Sequence, residues 1–428
     1  MKNKTVINAG WIIACRLVQA VLALAVTFVS ARYLGPANYG LVNYAESIVN
    51  FLRPVMQLGF NGILVKELVE RPKEEGVTLG TALAMNVLSA LVCMAGMISF
   101  VAAANFGQRD TLIVCSLYSI GLIFLALEMI QYWFQAHLKA KYASLTILAA
   151  YCIVAVYKLW LLITGKSICW FAIANSIDYM LIAVSLLAIY RKQGGQPLRF
   201  SLTRAREMLG KGKYYILSGL MVMIFAQTDK IMLKSIAGDA ETGYYAAAVA
   251  CTTMSNFVFV AIIDSARPSI LKKLGKSKEG FEQGVSALYS IIIYLALAQC
   301  IGLTVLAGWI IPLLYGSSYV PAAEILRLAI WYTTFSYIGA VRDVWILGEN
   351  KQHILWKINL CGALMNVALN AILIPIWGGL GAAAASLATQ IFTNVILGFV
   401  VKPLRRNNVL ILRSLDPRLI LRSLSRSG

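Results

Sequence analysis

RYLGPANYGLVNYAESIVNFLRPVMQLGFNGILVKEL, residues 32–68, is the stretch from which the fold is inferred. A short polar break, LGPANYG, separates two long apolar segments. The second segment carries polar residues three or four positions apart, a spacing that places them on one face of a helix. These residues are Asn43, Glu46, Asn50, Arg53 and Gln57. If this helix lies in a bilayer, its polar stripe must face something other than lipid.

The composition of the chain indicates a membrane protein. Of its 428 residues, 59% are hydrophobic and only 13% are charged, whereas a typical soluble protein has about 25% charged residues. Apolar stretches of about 18 residues or more recur along the whole chain, and each is a candidate membrane-spanning helix. A soluble helical repeat would need charged outer faces, which these segments lack. The sequence therefore predicts an all-α, polytopic integral membrane protein.

Twelve apolar segments are predicted to span the membrane, and the basic residues between them predict their orientation. With the N-terminus inside, 26 of the 38 Lys and Arg residues fall in inside segments and at most four in outside segments. Because cytoplasmic loops carry an excess of basic residues, this bias places both termini in the cytoplasm. The predicted spans are approximately 6–32, 39–63, 80–104, 111–136, 143–164, 168–190, 214–236, 243–268, 285–313, 322–348, 354–375 and 379–401.

A basic segment near the midpoint divides the chain into two halves of six spans each. The halves show a weak repeat, because glycines five residues apart follow the first span at 35 and 40 and the seventh span at 238 and 243. We therefore expect two six-helix lobes around a central cavity. The predicted domains are the N-terminal lobe 1–190, the basic cytoplasmic linker 191–213, the C-terminal lobe 214–402 and the basic cytoplasmic tail 403–428.

Ionisable side chains inside the predicted spans are the candidates for a functional site. Each costs about 2.5–3.5 kcal/mol on insertion scales, so such residues line a cavity or pair with one another. The candidates for binding a substrate are Arg16, Glu46, Asn50, Arg53, Asp264 and Arg267. The candidates for lining the cavity or for coupling are Glu128, Lys158, Asp178, Asp229 and Lys230. For each, the alternative is an internal ion pair that holds helices together, and a capping role is open for Arg342 and Asp343.

The predicted chemistry is binding rather than catalysis. Arginines in a cavity of low dielectric suit an anion, above all phosphate or pyrophosphate, because a planar guanidinium binds it bidentately and stays charged. The sequence contains no Walker A motif, zinc motif or nucleophile–base constellation. We therefore expect no enzymatic activity, no cofactor and no metal site. The net charge of +19 is spread over short loops and the tail, which favours membrane topology over binding of nucleic acid.

Two segments of the chain carry a family resemblance. The runs RYLGPANYGLVNYAESIVNFLRPVMQLGF and QTDKIMLKSIAGDAETGYYAAAVAC, with the layout of twelve spans and a tail, resemble the bacterial polysaccharide flippases. These O-antigen and capsule repeat-unit translocases belong to the multidrug/oligosaccharidyl-lipid/polysaccharide exporter superfamily. Membership implies translocation of undecaprenyl-pyrophosphate-linked oligosaccharide to the outer leaflet by alternating access. In the related lipid II flippases, arginines of the first, second and eighth helices surround the cavity, and Arg16, Arg53 and Arg267 fall in the corresponding helices here.

The resemblance also implies surroundings and partners. The protein is expected in the bacterial cytoplasmic (inner) membrane, with a lipid-linked oligosaccharide as substrate and membrane lipids, a polysaccharide polymerase and chain-length proteins as partners. A cation-coupled multidrug antiporter of the same superfamily remains an alternative. A membrane-embedded glycan polymerase or ligase is a further alternative, although such enzymes typically need a substantial outside loop, which the predicted topology lacks.

Overall fold

The computed structural model describes residues 2–275 and 277–416, with side chains described for Cys15 and from Val18 onward. Throughout this described part of the chain the secondary structure is helical, without β-strands. Contacts between residues divide the chain into two compact units, Met1–Gln227 and Thr228–Gly428. The all-α class predicted from the sequence is therefore confirmed.

The first unit is formed by seven helices and most of an eighth. They are α1 (Lys2–Met56), α2 (Leu64–Glu70), α3 (Glu75–Ala104), α4 (Arg109–Leu127), α5 (Gln131–Ala136), α6 (Ala140–Ile163), α7 (Ile168–Lys192) and α8 (Leu202–Ala237). Three 3₁₀ turns, Phe60–Gly62, Pro72–Glu74 and Glu128–Ile130, join or interrupt them.

The second unit begins inside α8 and contains seven further helices. They are α9 (Asp239–Thr253), α10 (Asn256–Leu274), α11 (Lys278–Tyr315), α12 (Pro321–Gly348), α13 (Leu355–Ile391), α14 (Leu397–Val400) and α15 (Arg405–Ser414). A π-helix, Phe392–Ile396, connects α13 to α14. The 3₁₀ turns here are Ser317–Tyr319, Gln352–Ile354 and Lys402–Leu404.

The number of spans agrees with the sequence prediction. Within residues 2–275 and 277–416, nine helical stretches are long and apolar enough to cross a membrane. Two of them, Val18–Met56 and Gln352–Val400, each contain two helices, because the backbone leaves helical geometry at Gly35 and Gly378. With α12, which has 28 residues, the described part of the chain has twelve helices of transmembrane length.

The glycine repeat has a structural basis. Gly35 has φ 72° and ψ 169°, and Gly238, between α8 and α9, has φ 91° and ψ −174°. This region of backbone conformation is essentially restricted to glycine. The predicted polar break at LGPANYG is therefore a sharp bend at one residue rather than a loop, and each half of the chain bends in the same way after its first span.

The predicted linker packs against the first unit. Ahead of α8, the Gly76 amide donates to the Gln196 side chain at 3.1 Å, and the Arg199 amide donates to the Gly76 carbonyl at 3.2 Å. A Cβ atom at Gly76 would lie 2.5 Å from the Pro197 carbonyl oxygen, so glycine permits this close approach. Residues 202–213 are already helical. The division of contacts falls after Gln227, and the lobe boundaries read from the sequence stay a prediction.

A buried ion-pair network fixes the start of α8 to the first unit. Arg204 is 5% exposed and Glu67 is 2% exposed, and their charged groups lie 3.5 Å apart. Arg204 also donates to the Thr78 hydroxyl, and the Lys211 ammonium contacts Glu67 at 2.6 Å. Because each buried charge has partners, the network avoids the cost of an isolated ion in the interior.

The surface of the long helices is apolar where it is exposed. Side chains more than half exposed include Val92, Val156, Ile163, Val305 and Trp309. Contiguous exposed apolar surface indicates contact with a membrane rather than with water. The chain is therefore a multi-pass membrane protein.

Candidate functional site

Arg53 is the central residue of a polar cluster in the first unit. It lies in α1 beyond the bend at Gly35, and its Nη2 donates to the Tyr179 hydroxyl at 3.0 Å. Its Nε is buried and has no hydrogen-bond partner in the structure. Glu46, two turns earlier, is exposed and forms no ion pair with Arg53 among the described residues. The guanidinium therefore has a hydrogen-bond donor directed at no protein acceptor.

Helix irregularities position this cluster. Pro54 follows Arg53 and removes the amide hydrogen that would bond to the carbonyl of half-buried Asn50. The predicted fourth span is likewise interrupted, because the 3₁₀ turn Glu128–Ile130 separates α4 from α5. A 3₁₀ stretch within a helix often marks a functional hinge. The sequence predicted a span over 111–136, and the structure has one candidate span, Arg109–Ala136, with this turn inside it.

Three further predicted residues join Arg53. Glu128 accepts a hydrogen bond from the Gln131 side chain at 3.1 Å and interacts electrostatically with Arg53 and Asp178. Lys158, on α6, interacts with Asp178 and Glu46. Asp178, on α7, has a buried Oδ1 without a hydrogen-bond partner. Residues from α1, from the 3₁₀ turn after α4, and from α6 and α7 thus form one charged cluster.

Tyrosines line the same cluster, and the sequence did not identify most of them. Tyr118 interacts electrostatically with Glu46 and Tyr179. Tyr132 interacts electrostatically with Glu128 and Arg53. Tyr151 interacts in the same way with Asp178. Tyr151 precedes Lys158 by two helical turns, so both residues lie on one face of the helix. This spacing was the sequence signal that could have identified Tyr151 as a candidate.

The chemistry of the cluster suits a ligand that is both anionic and rich in hydroxyl groups. Three carboxylates, two cations and four phenolic hydroxyls provide hydrogen-bond donors and acceptors, and the tyrosine rings offer apolar faces. Arg16, the other arginine predicted for this lobe, lies outside the residues whose side chains the structure describes. Its role stays a prediction.

The second unit holds the predicted pair Asp264 and Arg267 on α10. Arg267 Nη2 lies 3.1 Å from Asp264 Oδ1, and the two side chains are 43% and 55% exposed, respectively. Asp343, on α12, also interacts electrostatically with Arg267. Arg267 thus has a carboxylate at ion-pair distance, whereas the hydrogen-bond partner of Arg53 is a hydroxyl group.

Asp229, on α8, is buried and fully hydrogen-bonded. It is 6% exposed. The Tyr245 hydroxyl donates to Oδ2 at 2.5 Å, the Asn370 amide donates to Oδ1 at 2.6 Å, and the Ser386 hydroxyl also donates. Three donors from α9 and α13 thus satisfy the buried carboxyl group. Lys230, the next residue, is half-buried.

Arg342 is buried in the second unit and does not cap its own helix, the alternative that the sequence had left open. The residue is 6% exposed inside α12. Its Nη1 donates to the Thr393 carbonyl at 3.1 Å and to Asn394 Oδ1 at 2.9 Å. Its Nη2 donates to Asp343 Oδ1 at 3.0 Å. Arg342 therefore connects α12 to the π-helix.

The described residues include no cluster of three His, Cys, Asp or Glu side chains that could hold a metal ion. The two polar clusters combine carboxylates, cationic side chains, amides and hydroxyls. Such groups can bind and orient a polar ligand through hydrogen bonds and charge.

Comparison with known proteins identifies relatives by sequence and by fold. Residues 6–272 match the profile of a family described as "Polysaccharide biosynthesis protein". The chain is 29% identical over 229 residues to "Uncharacterized membrane protein MJ1068" of Methanocaldococcus jannaschii, a match covering 50% of this chain and 44% of that protein. The alignment thus covers less than half the length of that relative.

Two solved structures show the same fold. The "Lipid II flippase MurJ, inward closed conformation" is similar with a TM-score of 0.73 and 18% identity, covering 97% of this chain and 92% of that chain. An inward-facing multidrug resistance MATE family transporter of the MOP superfamily has a TM-score of 0.71 and 14% identity, covering 93% and 96%. At these identities the likeness shows a shared fold, and it agrees with the fold expected from the sequence.

Proposed function

The chain belongs to the polysaccharide biosynthesis protein family, and from this premise we propose that it is a flippase for a lipid-linked oligosaccharide. Its substrate is undecaprenyl-pyrophosphate-linked oligosaccharide, which it moves from the cytoplasmic to the outer leaflet by alternating access. The product serves cell-surface polysaccharide synthesis, including O-antigen, in the bacterial inner membrane. Both termini lie in the cytoplasm, as the distribution of basic residues predicts.

The observation that carries this proposal is the unsatisfied donor of Arg53. A buried donor without a partner costs about 1–3 kcal/mol, and more when it is charged. Such a cost is offset when a ligand supplies the acceptor, and pyrophosphate presents oxygens that match the guanidinium fork. Arg53 would therefore bind the pyrophosphate, with Tyr179 holding one of its nitrogens in place.

The remaining groups around Arg53 suit the sugar part of the substrate. Glu46, Asn50 and Glu128 would accept hydrogen bonds from hydroxyl groups, and tyrosine faces would pack against sugar rings. The polyprenyl chain would remain in the bilayer, in contact with the apolar exterior of the helices. A polysaccharide polymerase and chain-length proteins would act on the product after it reaches the outer leaflet.

Purified protein in liposomes tests the proposal. Vesicles that contain a fluorescent undecaprenyl-pyrophosphate-linked glycan are assayed for its movement between leaflets, with glycan length measured before and after. We expect translocation without a change in glycan length. The Arg53→Ala variant should lose this activity. The control variant Arg109→Ala, at an exposed arginine at the start of α4, should retain it. Normal translocation by inserted Arg53→Ala protein would contradict the assignment.

A cation-coupled drug antiporter is the second candidate, and the carboxylates favour it. Glu46, Glu128 and Asp178 outnumber the two cations in the first-unit cluster, and carboxylates suit cationic drugs and coupling protons or sodium ions. Efflux of ethidium from cells that express the protein, abolished by Asp178→Asn, would support this reading. If expression of the protein does not change ethidium efflux, the antiporter is excluded and the flippase remains the proposed function.

A further inference from the structure

The last helix, α15, begins the predicted basic tail, and polar side chains form much of its inner face. Asn407, Asn408 and Ser414 are buried, with at most 2% of their surface exposed. The Tyr289 hydroxyl, on α11, donates to Asn407 Oδ1 at 2.9 Å. Asn408 Nδ2 donates to the Val395 carbonyl, in the π-helix, at 2.7 Å. These bonds fix which side of α15 faces the protein.

Contacts at both ends of α15 hold it along α11. At its start, the Arg406 guanidinium forms an ion pair with Glu282, which is 6% exposed. At its end, the Tyr294 hydroxyl donates to the Leu415 carbonyl at 2.8 Å. Because both ends are bonded to the same long helix, α15 presents one defined face outward.

The outward face of α15 is apolar where a helix in water would be polar. Val409, Leu412 and Leu415 are 38%, 55% and 51% exposed, and Arg405 and Arg413 are exposed as well. Positions 405, 409, 412 and 413 follow a helical spacing, so these side chains form one strip. Apolar side chains beside arginines on one exposed strip are typical of a helix that lies in the headgroup region of a bilayer.

The cations of this face lack carboxylate partners. Within residues 2–275 and 277–416, neither Arg405 nor Arg413 forms an ion pair, whereas Arg406 does. Lys402, just before α15, is also exposed and forms no ion pair in the same ranges. Asp416, the exposed carboxylate nearest in sequence, pairs with none of these three cations. A cluster of uncompensated cations is attracted by the negative surface of an anionic leaflet.

A neighbouring tryptophan indicates the depth of α15 in the membrane. The Lys351 ammonium donates to the Pro403 carbonyl at 3.3 Å, so the turn before α13 lies beside the turn before α15. Trp356, in the first turn of α13, is 50% exposed, and the Lys357 ammonium lies 5.7 Å from its ring centroid. Tryptophan is enriched at membrane–water interfaces. The start of α15 therefore lies at the level of the lipid headgroups.

We propose that the outward face of α15 binds anionic phospholipid headgroups of the cytoplasmic leaflet. The three unpaired cations contact the phosphates, and the apolar side chains between them enter the boundary of the acyl chains. A lipid surface fits this face better than a soluble partner, because Trp356 places it at a depth where lipid surrounds the protein. The face is separate from the Arg53 cluster and does not depend on which substrate the protein carries.

Headgroup binding should stabilise the whole second unit, because α15 is bonded to the π-helix. Besides its bond to the Val395 carbonyl, Asn408 fills the space beside Gly398, where a Cβ atom would collide with it. The π-helix in turn accepts hydrogen bonds from Arg342. A ligand that binds only the folded state raises the melting temperature, so lipid bound at α15 should be detected in thermal unfolding.

Thermal unfolding of the full-length protein in a neutral detergent, monitored by circular dichroism, tests the proposal. The probes are dioctanoyl phosphatidylglycerol, dioctanoyl phosphatidylcholine and inorganic phosphate at equal concentrations. We expect phosphatidylglycerol to raise the melting temperature by about 4 °C, as a ligand well above its Kd does. Phosphatidylcholine lacks net charge and phosphate lacks acyl chains, so each should raise it by less than about 1 °C.

Two variants and a matched control locate the effect. The double variant Arg405→Gln/Arg413→Gln should lose most of the shift, and Arg413→Gln alone should lose about half of it. Arg405 also donates to the Phe399 carbonyl at 2.9 Å, so the single variant decides where the double variant does not fold. Lys73→Gln, at an exposed lysine without an ion pair in the described chain, is the control and should keep the full shift.

Other outcomes would overturn the proposal. An equal shift with phosphatidylcholine would mean that headgroup charge is not recognised, and an equal shift with phosphate would mean that a free anion binds. No shift with any probe would leave this face to a protein partner or to a second copy of the chain. A full shift in the Arg413→Gln protein would place the lipid elsewhere. The flippase proposal is tested separately, by translocation, and stands in each of these cases.

Discussion

Arg53 in the first unit and Arg267 in the second were both candidates by sequence, and their environments differ. Arg53 has a hydroxyl partner and a buried Nε without one. Arg267 has a carboxylate partner at 3.1 Å and a side chain that is 43% exposed. A charged donor that is buried without a hydrogen-bond acceptor is costly, and this cost is the reason for proposing a ligand at Arg53. An exposed ion pair costs little and indicates no ligand by itself.

The buried carboxylates of the two units show the same contrast. Asp178 has a buried oxygen without a hydrogen-bond partner, whereas both oxygens of Asp229 accept hydrogen bonds. The first arrangement leaves room for a ligand or a proton, and the second holds α8, α9 and α13 together. The two carboxylates thus differ in how many of their oxygens accept hydrogen bonds.

The largest predicted effect compares the two arginines in transport. Arg53→Gln should reduce the rate of glycan translocation by about a hundredfold, since loss of a charged, desolvated contact costs about 2–5 kcal/mol. Arg267→Gln should reduce it by about tenfold, because its charge is already compensated in the empty site. The rates are measured in proteoliposomes at equal amounts of inserted protein. A larger loss for Arg267→Gln than for Arg53→Gln would reverse the comparison.

The next effect concerns stability. Asp229→Asn should destabilise the protein by about 2 kcal/mol, because an amide cannot accept from all three donors and leaves a buried group unsatisfied. Asp264→Asn, in the same unit but half-exposed, should change stability by less than about 1 kcal/mol. Unfolding in detergent, monitored by circular dichroism, measures both. If Asp229→Asn is as stable as the wild type but does not transport, the second-unit cluster has a functional role. Asp229 would then be a coupling residue, as the sequence predicted.

The sequence was sufficient for the helices because their determinants are local. Hydrophobic length and the distribution of Lys and Arg are properties of short windows, so the twelve spans could be read directly. The bend at Gly35 was located as a polar break of several residues, although a single residue with positive φ is enough to separate the two helices. The interruption at Glu128 carries no glycine or proline signal, and it was missed.

The site could be predicted only as a set of candidates. Charge inside a span identified Arg53, Glu128, Lys158 and Asp178, and the structure brings these four together. The sequence could not distinguish Asp229 from these, because its donors come from distant parts of the chain. Arg342 was interpreted as a possible cap for the same reason, since its partners lie about 50 residues away at the π-helix.

The smallest predicted effect tests whether Tyr179 positions Arg53 or contacts the substrate. Tyr179→Phe removes the acceptor of one hydrogen bond to Arg53 and keeps the ring. The net value of such a bond is about 1 kcal/mol, so transport should fall about fivefold through a higher KM while the unfolding midpoint stays nearly unchanged. Tyr157→Phe, on the half-buried face of α6 where its ring stacks on Trp160, should leave both unchanged.

The two possible roles of Tyr179 predict different transport rates for the double variant. If the hydroxyl acts through Arg53, Tyr179→Phe should have no further effect in an Arg53→Gln background, because the group it positions is absent. If the hydroxyl binds the substrate itself, the two losses should multiply. A multiplied loss would make the first-unit cluster a site with two independent contacts, and Arg53 would then no longer be its sole anchor.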